Sequence, residues 1–383
     1  MRSLEKPREP GDTMTKKDGF KDTVSNFLGK NVVPIIVGAF IVLTIPISGL
    51  SGTYILQQIL MRVSRDLFLI LSLLFPIMAG MGLNFGMALG AMSGQIAIIL
   101  VLNWGVPGVG GVFLAMAVAT PMAILSGWLC GVILNKARGH EMITSMMLGY
   151  AMSGVYMLIG LFIMGTRLIP IHSPVLILST GVGIRNAVAL KTMRLSLDNL
   201  IPLKIAGISI PVATYLTIGL LCLFIWWFNR TKLGHDMRAV GQGRSVSEDS
   251  GIKVERTRVL AVIFSTVFAC YGQIIYLQNM GTLSTYTAAT QTSMFAIAAL
   301  LIGGASVARA SIPNALIGVI LFHLMFLISP IAGKNLLGTA MIGEYFRVFI
   351  SYAVVVLSLV LYDLQRNRER NKARSSLRGE GEL

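Results

Sequence analysis

The stretch AGMGLNFGMALGAMSGQ, residues 79–95, decides the fold. It lies in a run without charged residues from Leu67 to Trp104, yet carries five glycines, an asparagine and a glutamine. In water such a stretch reads as a loop. In lipid a loop leaves backbone N–H and C=O groups unpaired, so irregular backbone there needs surrounding protein or a water-filled cavity. The break therefore predicts either a path through a membrane or close helix packing, because small residues at helix interfaces let backbones approach.

The rest of the chain supplies the membrane context. Of 383 residues, 54% are hydrophobic and 13% charged, with a mean hydropathy of +0.74, whereas soluble domains carry about a quarter charged residues. The expected fold class is all-α, a polytopic membrane protein. Cys130, Cys222 and Cys270 lie in apolar stretches without metal-ligand spacing. They read as packing residues, with no disulfide framework and no metal site.

A net charge of +15 would point to nucleic acid in a soluble protein, but the basic residues gather in the N-terminal tail to Lys30, at residues 230–258 and from Arg366 to Arg378. Positive charge beside spans marks the cytosolic side, and anionic lipid attracts it. The charge is thus read as topology, with membrane lipid and no nucleic acid as the expected partner. Residues 1–31 are expected as a cytosolic tail, too long and mixed in charge for a signal peptide. Residues 32–364 form the membrane domain and 365–383 a basic cytosolic tail.

At about 20 apolar residues per crossing, the candidate spans are Val32–Leu50, Leu67–Met81, Phe85–Trp104, Val112–Leu134, Met142–Met164, Ile208–Trp227, Val259–Leu277, Ser293–Gly304, Ile312–Ile331 and Tyr345–Tyr362. That makes about ten transmembrane helices, some short or interrupted. An even count places both termini in the cytosol of a bacterial cell, together with residues 229–258, Lys136, Arg138 and Arg309. The external segment from Gly165 to Ala206 departs from this pattern, with Arg167, Arg185, Lys191, Arg194 and Lys204 against Asp198 alone. Its apolar patch PVLILSTGVGI fits a place on or in the membrane. Leu67–Met81 and Ser293–Gly304 fall below a crossing length and border small polar residues, a pattern that flags transport sites in carriers.

Within these spans there is no Asp, Glu or Lys in the interior, one arginine near an end (Arg347) and one histidine, His323. Proton-coupled carriers place carboxylates or histidines in their relays, so proton drive lacks its usual parts. Sodium coupling through backbone carbonyls leaves little mark in side chains. His323 reads either as a helix-to-helix hydrogen bond or as a pore-lining donor. The uncharged amides Asn84 and Gln95, with Gln273 on the span after residues 229–258, are path candidates, since such groups in lipid must be paired or wetted; helix pairing is the competing reading. No phosphate loop, HExxH, CxxC or nucleophile elbow is present. No catalytic residue is assigned, the chain is read as a non-enzyme, and active transport would draw its energy from another subunit.

Residues 229–258 are too polar for lipid. A helix to Val240, a break at Gly241 and Gly243, then a short helix capped by Ser245 or Ser247 with Glu248 and Asp249 in its first turn is the expected layout. Gly251 ends it. At this point the chain resembles a known family. RAVGQGRSVSEDSGI is similar to the RAVG-x-N-x-x-A-A-x-x-S-G-I signature of ABC importer permeases of the branched-chain amino acid, monosaccharide and nucleoside group. Arg238, Ala239, Val240, Gly241, Ser250, Gly251 and Ile252 match, whereas Gly243 stands for Asn and Val246 with Ser247 for the Ala pair. AIAALLIGGAS (296–306) resembles the A-I-A-A-x-x-x-G-G-x-S block, and KARGHEMITSMMLGY (136–150) resembles the nucleoside-type NEVI…MLNY segment through Glu141 and Met147–Tyr150. The resemblance runs from about Ser51 to Asp363, leaving out the first thirty residues and the segment around 165–206.

The resemblance implies a permease subunit of an ATP-driven importer, with the matched loop docking on a separate ATP-binding ABC subunit that carries ATP and magnesium. It also implies a second permease subunit, identical or homologous, and an extracytoplasmic substrate-binding protein; no cofactor belongs to this chain. Asn84 and Gly86 match the nucleoside-type FNIGVEGQ form, so this stretch is implied to line the translocation path. Its uncharged polarity suits a small neutral solute such as a nucleoside, sugar or ribityl compound. A stand-alone secondary carrier, or a permease importing branched-chain amino acids, is the alternative. Some of Arg62, Arg65, Arg185, Lys191 and Arg194 are expected to face acidic residues of the binding protein, although the stretch YILQQILMRVSRD would also snorkel Arg62 and Arg65 at the membrane edge.

Overall fold

The computed structural model describes residues 32–360, apart from 206 and scattered positions between 340 and 359. The two tails (1–31 and 365–383) and most of the candidate span Tyr345–Tyr362, with Arg347, lie outside the described residues.

The chain opens with α1 (Val32–Ser48), α2 (Gly52–Leu71) and the five-residue α3 (Leu74–Met78), then α4 (Met87–Asn103), α5 (Gly108–Lys136) and α6 (Glu141–Leu158), which runs on as a wider turn over Ile159–Ile163. After β1 (Ala187–Ala189), β2 (Pro202–Ile205) and β3 (Ile208–Pro211) come α7 (Val212–Phe228), α8 (Lys232–Gln242) and α9 (Arg244–Asp249). The last part holds α10 (Val254–Met280), β4 (Thr282–Ser284), α11 (Ala288–Ile302) and α12 (Ile312–Leu337). Local chemistry sets several starts. Ser51, Thr231 and Ser311 each accept from a backbone N–H of the first turn, satisfying donors that a helix start leaves free.

Among the described residues, four helices are long and apolar enough to cross a membrane: Gly108–Lys136, Glu141–Ile163, Val254–Met280 and Ile312–Leu336. A fifth candidate joins α7 to α8 across a 75° bend, and α1, α4 and α11 are shorter apolar helices. The protein is therefore a helical, multi-pass membrane protein, but the expected ten spans are not reproduced as such. Leu67–Met81 is not a separate short span, because Leu67–Leu71 closes the 20-residue helix α2. Charge at Arg62, Arg65 and Asp66 concealed that helix from a search for apolar runs. Ile208–Trp227 also begins late, since Ile208–Pro211 pairs with Pro202–Ile205 as a hairpin. These small sheets are the departure from an all-α chain: β1 pairs antiparallel with β4, Val188 opposite Leu283.

Segment 165–206 folds back on one end of the bundle. Ile171, Leu176, Ile184, Val188, Leu190 and Met193 join a buried cluster with α4, α5 and α10. Asp198, buried, accepts from Asn279 Nδ2 at 2.7 Å and from the Thr214 hydroxyl. Arg185, Lys191 and Arg194 remain exposed on this end.

Helix α10 is the hub, packed on α2, α4 and α5. Lipid tails are as apolar as leucine, so packing contacts rather than water release hold such helices together. Gly90 and Gly94 of α4 lie so close to α10 that a Cβ on Gly90 would meet the Thr266 carbonyl, and one on Gly94 would sit 2.8 Å from the Cys270 carbonyl. Gly127 and Gly131 of α5 do the same against Thr266 and Val259. Elsewhere Phe75 of α3 stacks on Phe268 at 5.3 Å and on Phe264 at 5.6 Å, and meets Phe228 edge-on at 5.6 Å. Such pairs add about 0.5–1.5 kcal/mol each beyond burial.

Candidate functional site

Two places carry the chemistry. The first is the end of the bundle where α8 and α9 leave it. The break in the 79–95 stretch spans residues 79–86, and it is buried apart from Gly80 and the partly buried Phe85. Gly80 and Gly82 take φ of +70° and +72°, values that glycine alone adopts cheaply. Several of its backbone N–H groups find partners inside the protein. Met81 N–H donates to Pro76 at 3.0 Å, Phe85 N–H to Ser145 Oγ at 3.2 Å, and Gly86 N–H to Asn84 Oδ1 at 2.9 Å.

This turn touches the loop singled out in the sequence. Gly241 lies within α8, not at a break, and a Cβ there would strike the Met78 carbonyl; one on Gly80 would lie 2.8 Å from the Gly241 Cα. The break comes at Gly243, whose extended backbone starts α9, so neither Ser245 nor Ser247 caps it. Ser247 instead donates to the Gly243 carbonyl at 2.7 Å. Glu248 and Asp249 consequently fall at the end of α9, where Glu248 pairs with Arg244 at 2.9 Å. Arg238 donates to the Asn229 carbonyl, Ser250 to the Val246 carbonyl at 2.7 Å, and Ile252 N–H to Ser247 at 3.0 Å. Ala239 is half-buried and Val240 buried, Gly251 turns the chain with φ +78°, and Val246 stands 69% exposed on α9. At the same end Arg258, buried, pairs with Glu141 at 2.5 Å, tying α6 to α10.

The second place is a cavity of about 360 Å³ between α2, α10, α11 and α12. Arg62, Arg65, Asp66, Tyr276, Thr292 and His323 supply its polar lining, and Phe295, Phe322 and Phe326 its aromatic wall. Asp66 Oδ2 lies 3.1 Å from Arg65 Nε, 3.0 Å from Arg65 Nη2 and 2.6 Å from His323 Nε2. The Arg65 guanidinium stands 5.1 Å over the Tyr276 ring. His323 of α12 thus makes a helix-to-helix contact with Asp66 of α2, and it does so at the wall of the cavity. Arg62 and Arg65 are not snorkelling residues of an edge helix, because α2 packs on α10 and α12 and turns them inward. Sequence reading missed Asp66 altogether. The signal available was an Arg-x-x-Arg-Asp run directly before an apolar stretch, with a lone histidine far along the chain.

None of Asn84, Gly86, Gln95 and Gln273 lines that cavity. Asn84 is buried at the break with its Nδ2 unpaired, and a Cβ on Gly86 would lie 2.6 Å from Cys130 Sγ. Gln95, fully buried in α4, is oriented by its neighbours to donate to the Thr285 carbonyl at 3.3 Å and accept from Ala289 N–H at 3.1 Å. Gln273 accepts from Thr292 Oγ1 at 2.7 Å, so it adjoins the cavity through one of the lining residues.

Comparison with known proteins follows the same outline. Residues 55–361 match the family described as "branched-chain amino acid transport system / permease component". The autoinducer 2 import system permease protein LsrC of Enterobacter sp. (strain 638) is 30% identical over 187 residues, 46% of this chain and 51% of that protein. The ribose import permease protein RbsC of Escherichia coli (strain K12) is 31% identical over 149 residues, 38% of this chain and 43% of that protein. The chain thus aligns with about half the length of these relatives. The autoinducer 2 import system permease protein LsrD of Yersinia pestis (strain Pestoides F) is 24% identical over 348 residues, 87% of this chain and 95% of that protein. No solved structure matches the chain. A helical bundle with a buried glycine-rich turn beneath a short polar helix pair, matched over residues 55–361, belongs to the branched-chain amino acid transport system permease family.

Proposed function

We propose that the chain is the membrane permease subunit of an ATP-driven importer for a small polar solute of the sugar class, in a bacterial inner membrane with both termini cytosolic. ATP and magnesium act on a separate ATPase subunit. Two permease subunits, identical or paired with a homologue, and an extracytoplasmic binding protein complete the assembly. Besides family membership, one observation carries the reading: α8 packs backbone to backbone, through Gly241 and Gly80, on the turn that breaks the membrane bundle. A push on α8 and α9 therefore reaches the bundle interior without an intervening flexible side chain. Arg238 to Gly241 and Ser250 to Ile252 frame that lever, with Val246 exposed between them as an apolar contact for the ATPase.

The solute path runs through the cavity, with Gln273 reaching it through Thr292; Asn84 and Gly86 are assigned to the same path nearer α8, and Gln95 to it beside Thr285 and Ala289. A permease needs only a weak, alternately exposed site, because equal affinity in both states shifts nothing. A stand-alone carrier is the second reading, favoured by Asp66 and His323 at 2.6 Å inside the bundle, the kind of pair used in proton relays. Proteoliposomes separate the two. With the ATPase and binding protein encoded beside this chain, uptake of ribose or a related sugar is expected only with ATP inside. Uptake by this chain alone, driven by a proton gradient, would overturn the importer reading.

A further inference from the structure

We propose that the cavity between α2, α10, α11 and α12 receives an anionic group, a carboxylate or phosphate on a monosaccharide-sized solute, with Arg62 as the residue that holds it. This rests on the import reading above and specifies its cargo. Asp66 is the one carboxylate in the lining, and its Oδ2 is already engaged by both Arg65 nitrogens and by His323 Nε2. Arg62 has no carboxylate within ion-pair distance among the described residues. Two arginines against one aspartate leave the cavity with an unbalanced positive charge.

Charge inside a membrane bundle is costly and is held where a partner or a water-filled path compensates it. A guanidinium offers a planar fork of donors that fits carboxylate and phosphate oxygens in pairs, so an anionic solute supplies what Arg62 lacks. The remaining walls agree in size and character. Phe295, Phe322 and Phe326 give flat apolar faces for the C–H side of a sugar ring, Thr292 adds a hydroxyl, and about 360 Å³ accommodates one small ring but no large ligand. Small-molecule sites run from about 300 to 1,000 Å³. A neutral sugar would enter the same space and leave Arg62 unmatched.

The test uses the full chain in phosphatidylcholine nanodiscs, titrated by calorimetry with D-glucuronate, D-glucose 6-phosphate, D-glucose and inorganic phosphate. At least one charged sugar is expected to bind about tenfold or more tighter than D-glucose, the carboxylate and phosphate arms showing which anion fits. Charge-assisted hydrogen bonds of about 1.5–3 kcal/mol correspond to about 10- to 100-fold, so Arg62→Gln should weaken the charged sugar by that factor. Arg62→Lys should retain part of the affinity. Arg230→Gln, whose guanidinium lies 3.7 Å over Trp226, should change nothing. Binding of neither charged sugar, D-glucose binding as tightly as both, inorganic phosphate binding as tightly as the sugars, or indifference to Arg62→Gln each overturns the inference. ATP-driven uptake of a neutral sugar would persist in those cases if the importer reading holds. Conversely, tight charged-sugar binding without ATP-driven uptake would remove the importer reading and leave the site.

Discussion

Two faces of α10 differ in what lies against them. On one, Gly90, Gly94, Gly127 and Gly131 let α4 and α5 approach its backbone closely. On the other, Tyr276 and Met280 border a space of about 360 Å³ that also holds two arginines, an aspartate and a histidine. Small residues in this bundle remove space, and charged residues surround it. The amides follow the first pattern more than the second, since Gln95 and Gln273 both bond to neighbouring protein atoms.

The hardest test of this contrast is Asp66→Ala. Removing one partner of a buried ion pair costs about 3–5 kcal/mol, and a side chain 14% exposed beside a cavity should fall near the low end. The variant is expected to lose most of its stability in a detergent unfolding assay, and Asp66→Ala combined with Arg65→Ala should recover part of it. A single variant as stable as the parent would show that water already screens the cluster. On the other face, Gly90→Val should cost at the upper end of the range of about 1–3 kcal/mol for overpacking, because the obstacle is the Thr266 backbone and not a side chain that can rotate. Normal accumulation of folded Gly90→Val would mean that α4 and α10 are not in backbone contact.

What the sequence showed, and what it hid, follows the same division. Apolar runs bounded by polar residues were readable: Ile312–Ile331 became Ile312–Leu337 and Met142–Met164 became Glu141–Ile163. The irregular backbone inside the 79–95 stretch was readable too, since five glycines with Asn84 cannot sit unpaired in lipid. Its placement was not. Residues 79–86 form a turn against α8, whereas Met87–Asn103 is regular helix. The cavity was hidden because its lining comes from residues far apart in the chain: Arg65 and Asp66 look like the end of a surface helix until His323 and Tyr276 close over them. Hydropathy scores each residue against lipid and has no term for a partner supplied by another helix. The hairpin at 202–211 and the β1–β4 pair are likewise contacts that no local pattern announces.

Between the two faces stands Gln273, fully buried on α10 and accepting from Thr292 of the cavity lining. Gln273→Leu should cost about 1 kcal/mol or somewhat less, the usual value of an interhelical hydrogen bond in a membrane. The informative readout is transport measured at equal amounts of assembled complex. Loss of uptake at normal amounts assigns the amide to the path; loss of the complex assigns it to packing. The same comparison applied to Asn84→Leu asks whether the α8 end behaves like the seam or like the cavity, and Gln95→Leu asks it of the contact with Thr285 and Ala289.

The smallest structural effect is expected where neither face is involved. Arg244 and Glu248 form an i,i+4 pair at 2.9 Å on α9, with side chains 29% and 50% exposed, and such helix pairs contribute about 0.3–0.5 kcal/mol. Glu248→Gln should therefore leave the unfolding midpoint almost unchanged. The charge it removes nevertheless lies two residues from the exposed Val246, on the segment assigned to the ATPase contact. If α9 is the lever, the variant should weaken ATPase co-purification in a salt-dependent way, because exposed charges steer encounter more than they hold a complex. Gly241→Val, by contrast, should preserve co-purification and abolish uptake, since it strikes the Met78 carbonyl behind the lever and not the docking surface in front of it. Should both variants co-purify and transport as the parent does, α8 and α9 are only a connector, and the coupling would have to pass through another part of the same end, where Arg258 and Glu141 join α10 to α6.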